Sequence, residues 1–124
     1  MIVAGFGFRA QAELHSLQDA LAKANSAQAV TDLATLSDKA DSPAFQDLAH
    51  VLGLPVHHVS AAEAANVQTQ TQSAHAKAAR ETGSVAEAAA LVAAGPGAEL
   101  VQARVISADR MATCAVARAR GGAE

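Results

Sequence analysis

Three times in the first sixty residues a short apolar run gives way to a segment with helical spacing, and no other feature of the chain restricts its fold so strongly. Ile2–Ala4, Ala29–Leu36 and Leu54–Val59 have the length and character of buried strands. Between the first two lies a predicted helix, Ala10–Ala24. Its Leu14, Leu17 and Leu21 recur at three and four residues, while Glu13, Gln18 and Lys23 fall off that line. Ser42-Pro43 opens the next helix with an N-cap and a proline at the first helical position. Phe45, Leu48, Ala49 and Leu52 form its inner stripe, and Gly53 closes it. Such alternation is the pattern of an α/β domain with a mostly parallel sheet covered on both faces.

The second half extends the pattern. Ser60 and Glu63 make a capping box for a short helix, Ala61–Asn66. Gln68–Ser73 reads as a surface loop and Ala74–Glu81 as a helix. Ser84 and Glu87 form a second capping box, for a helix that ends near Gly95-Pro96-Gly97. Glu99–Ser107 and Ala112–Arg118 read as strands joined by the turn Ala108-Asp109-Arg110. That hairpin makes the sheet mixed, and Arg120–Glu124 is expected to fray. Residues 1–124 are expected to form one domain.

Composition bears on partners and compartment. Alanine supplies 34 of the 124 residues, so Leu and Val must build the core with Ala as a spacer that lets helix approach sheet closely. With no Trp or Tyr, three Phe and a net charge of −3, the chain lacks both the stacking platform and the basic surface of a nucleic-acid binder. A single cysteine excludes an intrachain disulfide and suits a reducing compartment. The N-terminus has no basic region ahead of its apolar residues, and no apolar window reaches the length of a membrane span. The expectation is a soluble cytoplasmic protein with neither nucleic acid nor membrane as partner.

Chemistry-bearing residues gather at the strand-to-helix junctions. Gly5-Phe6-Gly7-Phe8-Arg9-Ala10 fits G-x-G-x-x-[GA] between a strand and a helix, where glycines let backbone amides approach an anion. The second half of a dinucleotide fold is missing, however, and Asp38 is followed at once by Lys39, so a nucleotide-binding regulator is the remote alternative. Arg9 would sit in the first turn of the predicted helix, against the positive end of its macrodipole, at a penalty of roughly 0.3–1 kcal/mol. An anion shared by Arg9, Gly7 and the helix amides would offset that penalty. Lys39 would project from the same carboxyl edge of the sheet, where ligands of open α/β sheets sit. Asp38 and Asp41 then line a polar or anionic ligand site; the alternative is a solvated loop with an internal Asp–Lys pair. Both carboxyls are acid–base candidates, although their spacing in a loop fixes no distance. Thr113 would offer a hydroxyl to the ligand. Cys114 is either a nucleophile, which would need a neighbouring base, or a small buried strand residue. Adjacent His57 and His58 in a strand point to opposite faces, and no metal-ligand spacing occurs, so neither metal nor cofactor is expected.

VAGFGFR (3–9), LATLSDKAD (33–41), LAHVLGLPV (48–56), GSVAEAAAL (83–91) and ATCAVAR (112–118) together resemble one family, CobE and the C-terminal domain of CbiG, of cobalamin (vitamin B12) biosynthesis. The resemblance implies a three-layer α/β/α fold with a mixed, mostly parallel sheet and a role on corrinoid intermediates. CbiG proteins are associated with opening a precorrin δ-lactone and carry further N-terminal regions; a free-standing domain looks like CobE. Relatives commonly have Cys before the arginine and Gly or a basic residue soon after it, whereas Phe8, Ala10 and Gln11 stand here, so of that motif only Arg9 carries over. Late corrinoids are partly apolar rings edged with carboxylates. Arg9, Lys39, Arg110 and amides near Gly5 and Gly7 would serve the rim, with Phe6 or Phe8 against the ring. The expected function is binding of a corrinoid intermediate as a carrier or accessory protein, with other enzymes of the pathway as further partners. The alternative is a hydrolase acting on a precorrin lactone through Asp38 and Cys114.

Overall fold

The first strand runs straight through the two glycines expected to end it. In the computed structural model, which describes residues 1–24, 30–60, 62–64, 83–95 and 97–119, β1 spans Ile2–Phe8. Ile2, Ala4, Phe6 and Phe8 alternate onto one face, and Val3, Gly5 and Gly7 onto the other. After it come α1 (Leu14–Ala24), β2 (Asp32–Leu36), a 3-10 turn (Ser37–Lys39), α2 (Pro43–Leu52) and β3 (Val56–Val59). The described chain then continues through α3 (Gly83–Ala94), β4 (Glu99–Ile106) and β5 (Ala112–Arg118).

The five strands form one sheet in the order β3-β2-β1-β5-β4. β1, β2 and β3 pair in parallel, and β5 lies antiparallel between β1 and β4, so the sheet is mixed as expected. On one face α1 and α2 bury Leu17, Ala20, Phe45 and Leu48 against Phe6, Leu33, Cys114 and Val116. On the other, α3 buries Ala88, Ala89 and Ala90 against Val3, Ala34, Val59 and Ala117. The result is the α/β/α arrangement. Alanine does what its abundance suggests: a β-carbon at Gly5 would lie 2.2 Å from the Ala86 carbonyl oxygen and 2.5 Å from the Ala90 amide nitrogen. In a strand, a glycine of this kind marks close backbone approach.

Three expectations are corrected. α1 begins at Leu14, not Ala10, because the Arg9 N–H donates to the Met111 carbonyl (2.9 Å) and prolongs the β1–β5 pairing, while the Ala12 N–H closes a turn onto the Arg9 carbonyl. Arg9 therefore stands in a connection, and the conflict with the helix dipole does not arise. The glycine pair belongs to a strand packed beneath a helix, so it forms no phosphate-binding turn. Glu87 does not complete a capping box either: Gly83 is already helical, and the Glu87 carboxylate accepts the Arg104 N–H of β4 (3.1 Å). The Ser84 side chain, the 68–73 loop, the 74–81 helix and the 120–124 tail lie outside the described residues.

Other local signals appear as written in the sequence. Gly53 adopts φ +67° and donates its N–H to Ala49 and His50, ending α2. Ser60 and Glu63 exchange the reciprocal bonds of a capping box, each 3.0 Å long. At the outer strand β4, side chains occupy backbone groups: Gln102 donates to the Ala103 carbonyl, Lys23 to that of Ile106, and Glu87 accepts from Arg104. An edge occupied in this way is a poor template for another strand. Among the described residues, no helix is long and apolar enough to cross a membrane.

Candidate functional site

β1, β2 and β3 end at one edge of the sheet, at Phe8, Leu36 and Val59. β5 begins there, because Ala112 pairs with Phe8, so the Ser107–Met111 hairpin tip stands at the same edge. Three connections thus meet around the end of β1, and each brings a cation. Arg9 follows Phe8 directly and is exposed. Lys39 leaves the 3-10 turn with its Nζ 5.6 Å from the centroid of the Phe8 ring, a cation–π contact. Arg110, also exposed, lies next to Met111, whose carbonyl accepts the Arg9 N–H. Among the described residues none of the three cations makes an ion pair. Asp41 is exposed one residue before Ser42, the N-cap of α2.

The remaining candidates are placed differently. Gly5 is sealed beneath α3 and offers nothing to a ligand. Gly7 and Thr113 pair across β1 and β5 on the α3 side, both buried, and the Thr113 hydroxyl donates to the Gly7 carbonyl (3.2 Å). Asp38 lies in the 3-10 turn; its side chain is outside the described residues. Cys114 is wholly buried on the α1–α2 face, burial pushes its thiol far above the ordinary range, and its one described polar contact is the Ala115 carbonyl at 3.9 Å. The thiol thus has the setting of a buried packing group. Nor do Phe6 and Phe8 face outward: both pack on Phe45, at centroid distances of 5.7 and 5.8 Å, and Lys39 covers Phe8. The expected aromatic floor is part of the core.

Sequence reasoning missed the device that holds the hairpin tip. Asp109 accepts hydrogen bonds from the Ser107 hydroxyl (2.5 Å), the Met111 N–H (3.1 Å) and, across to α1, the Ser16 hydroxyl (2.6 Å). His15 approaches the same carboxylate at 3.5 Å. The Ser107 and Ser16 hydroxyls, then the Met111 amide, hold the Asp109 carboxyl down at about 2. Asp19 of α1 accepts the Ala108 N–H (2.6 Å), which with Lys23 keeps its carboxyl below the ordinary range. Ser16 and Asp19 are some ninety residues from the turn they grip, and no local pattern announces such a pairing. The described edge therefore carries three cations interspersed with the carboxylates of Asp41 and Asp109, and its hairpin tip is hydrogen-bonded to α1.

A family model described as cobalamin synthesis G C-terminus matches residues 2–117. The chain belongs to that family. The family assigns it to cobalamin biosynthesis. Solved structures agree. The chain is 33% identical to CobE, a protein from the cobalamin (vitamin B12) biosynthetic pathway, with 95% of this chain and 89% of that one covered and a TM-score of 0.76. With the cobalamin biosynthesis protein chiG from Agrobacterium tumefaciens str. C58 it shares 34% identity, covering 97% and 99% of the two chains at a TM-score of 0.77. A cobalamin biosynthesis protein G homolog from Sulfolobus solfataricus shares the fold, at 21% identity and a TM-score of 0.69, over 96% of this chain and 37% of that one. Among curated proteins no sequence matches the chain.

Proposed function

We propose that this member of the cobalamin synthesis G C-terminal family binds a corrinoid intermediate at the carboxyl edge of its sheet, as a carrier or accessory protein. One observation carries the reading: in a chain of net charge −3, Arg9, Lys39 and Arg110 come from three separate connections to the end of a single strand. Late corrinoids present several carboxylates around the periphery of a broad ring, and cations spaced along a rim match that distribution better than one deep charged pocket would. Arginine adds geometry to charge, since two of its N–H groups can hold both oxygens of a carboxylate. Burial of the Cys114 thiol removes one of the two groups a hydrolase would have used, which favours binding over turnover.

The test is a spectral titration with dicyanocobyrinic acid, whose ring carries free carboxylates, beside dicyanocobinamide, in which amides replace them. Binding of the first and at least tenfold weaker binding of the second, with the ligand mass unchanged, is the expected result. Arg9→Ala and Lys39→Ala should each weaken binding of the acid about 3–30-fold, the range of a partly exposed charge-assisted contact. Equal binding of the two rings, or a change in ligand mass during incubation, would refute the carrier reading.

A further inference from the structure

Four described residues have φ in the left-handed region, and three of them are glycines: Gly53, Gly95 and Gly97, at +67°, +102° and +80°. The fourth is Arg110, at +62°. Left-handed backbone is strained for any residue with a β-carbon, and a hairpin ending of this form ordinarily takes glycine. The chain uses glycine wherever else this conformation is described, yet here it keeps a long cation. Strain of this kind persists only where surrounding contacts over-determine it. Those contacts are present. The Arg110 N–H donates to the Ser107 carbonyl (2.9 Å), the Ser107 hydroxyl is held by Asp109, and Asp109 is held by Ser16 of α1. On the other side, the Met111 carbonyl is fixed by the Arg9 N–H. The tip is tied to α1 and to β1 at once, and Arg110 lies between the two attachments.

We propose that Asp109, anchored by Ser16, is a positioning residue that holds the backbone at Arg110 in its left-handed conformation, and so fixes where the side chain leaves the turn to meet a ligand carboxylate. The proposal rests on the reading of the rim given above and adds to it which cation is preorganised and by what. Preorganisation matters because a loop free to move would lose backbone freedom on binding, and that loss subtracts from affinity.

The experiment measures thermal midpoint and dicyanocobyrinic acid affinity for the wild type, Arg110→Gly, Asp109→Ala, Ser16→Ala, and the double variant Asp109→Ala/Arg110→Gly. Arg110→Gly is expected to raise the midpoint by about 2–5 °C through relief of strain, and to weaken binding about tenfold. Ser16→Ala, which removes a single bond to Asp109, keeps the test open should Asp109→Ala fold poorly; each is expected to weaken binding 3–10-fold. Coupling is the decisive readout: in the Arg110→Gly background, loss of Asp109 should leave affinity unchanged, because Asp109 acts through Arg110. If Asp109→Ala weakens binding equally in both backgrounds, or Arg110→Gly binds as the wild type while Arg9→Ala does not, the positioning role is overturned and the rim reading survives. If the wild type binds neither ring, the rim reading is overturned and this proposal with it.

Discussion

At Gly5 the Ala86 carbonyl and the Ala90 amide occupy the volume a β-carbon needs, and both are backbone atoms that can yield only if α3 shifts off the sheet. Gly5→Ala should therefore destabilise the protein by about 3 kcal/mol, the upper end of overpacking, read as a fall in the denaturant midpoint. This residue also shows where sequence reasoning failed. Glycine in Gly5-Phe6-Gly7 carries a strong local turn signal, while the reason for it, α3, is eighty residues away. The alternation of Ala4, Phe6 and Phe8 was a competing strand signal in the same stretch, and tertiary contact decided between them. Asp109 bears a second prediction. Its folded carboxyl titrates at about 2, below the ordinary 3.8 of an unfolded aspartate. Its contribution is thus complete above about pH 4 and is lost as pH falls through the folded value. Asp109→Asn should flatten the fall of stability between pH 4 and 2, followed by urea unfolding across that window; an unchanged acid limb would show that the hydroxyls around it do not favour the ionised form.

Helix ends show that a motif can be correct in composition and differ in use. Ser60 and Glu63 form their box, and Ser60→Ala should cost about 0.5–1 kcal/mol in thermal unfolding without altering corrinoid affinity. Glu87 sits at the same spacing after Ser84 yet turns to the Arg104 amide of β4, joining α3 to the edge of the sheet. Glu87→Ala should cost about 1–2 kcal/mol, since a carboxylate–amide bond and a partly buried donor are both affected. The more specific sign is faster hydrogen exchange at the Arg104 amide, with α3 amides unchanged. A capping role would give the opposite: faster exchange in the first turn of α3. The sequence could not separate these outcomes, because a glutamate at N3 and a glutamate facing an edge strand look identical along the chain.

For the whole molecule, the alternation of elements was legible and the order of strands was not. The described helices, the hairpin and the mixed sheet follow from spacing and turn chemistry, and the edge proposed for the ligand follows from where parallel strands end. That β5 inserts beside β1, aligning Ile2 with Arg118 and Phe8 with Ala112, has no local signature. The same long-range pairing brings Arg110 of the hairpin tip to the edge that carries Arg9. A fragment ending at residue 111 should consequently lack a cooperative melting transition by circular dichroism, because β1 would lose seven residues of pairing at the centre of the sheet.

That central pairing also bears on biogenesis. β1 cannot settle beside its antiparallel partner until β5, 106 residues further on at the Gly7–Thr113 pair, has emerged from the ribosome. While the residues between them are made, β1 would remain an unzipped, oily ribbon, which makes this fold a natural client for chaperones that shelter unfinished chains.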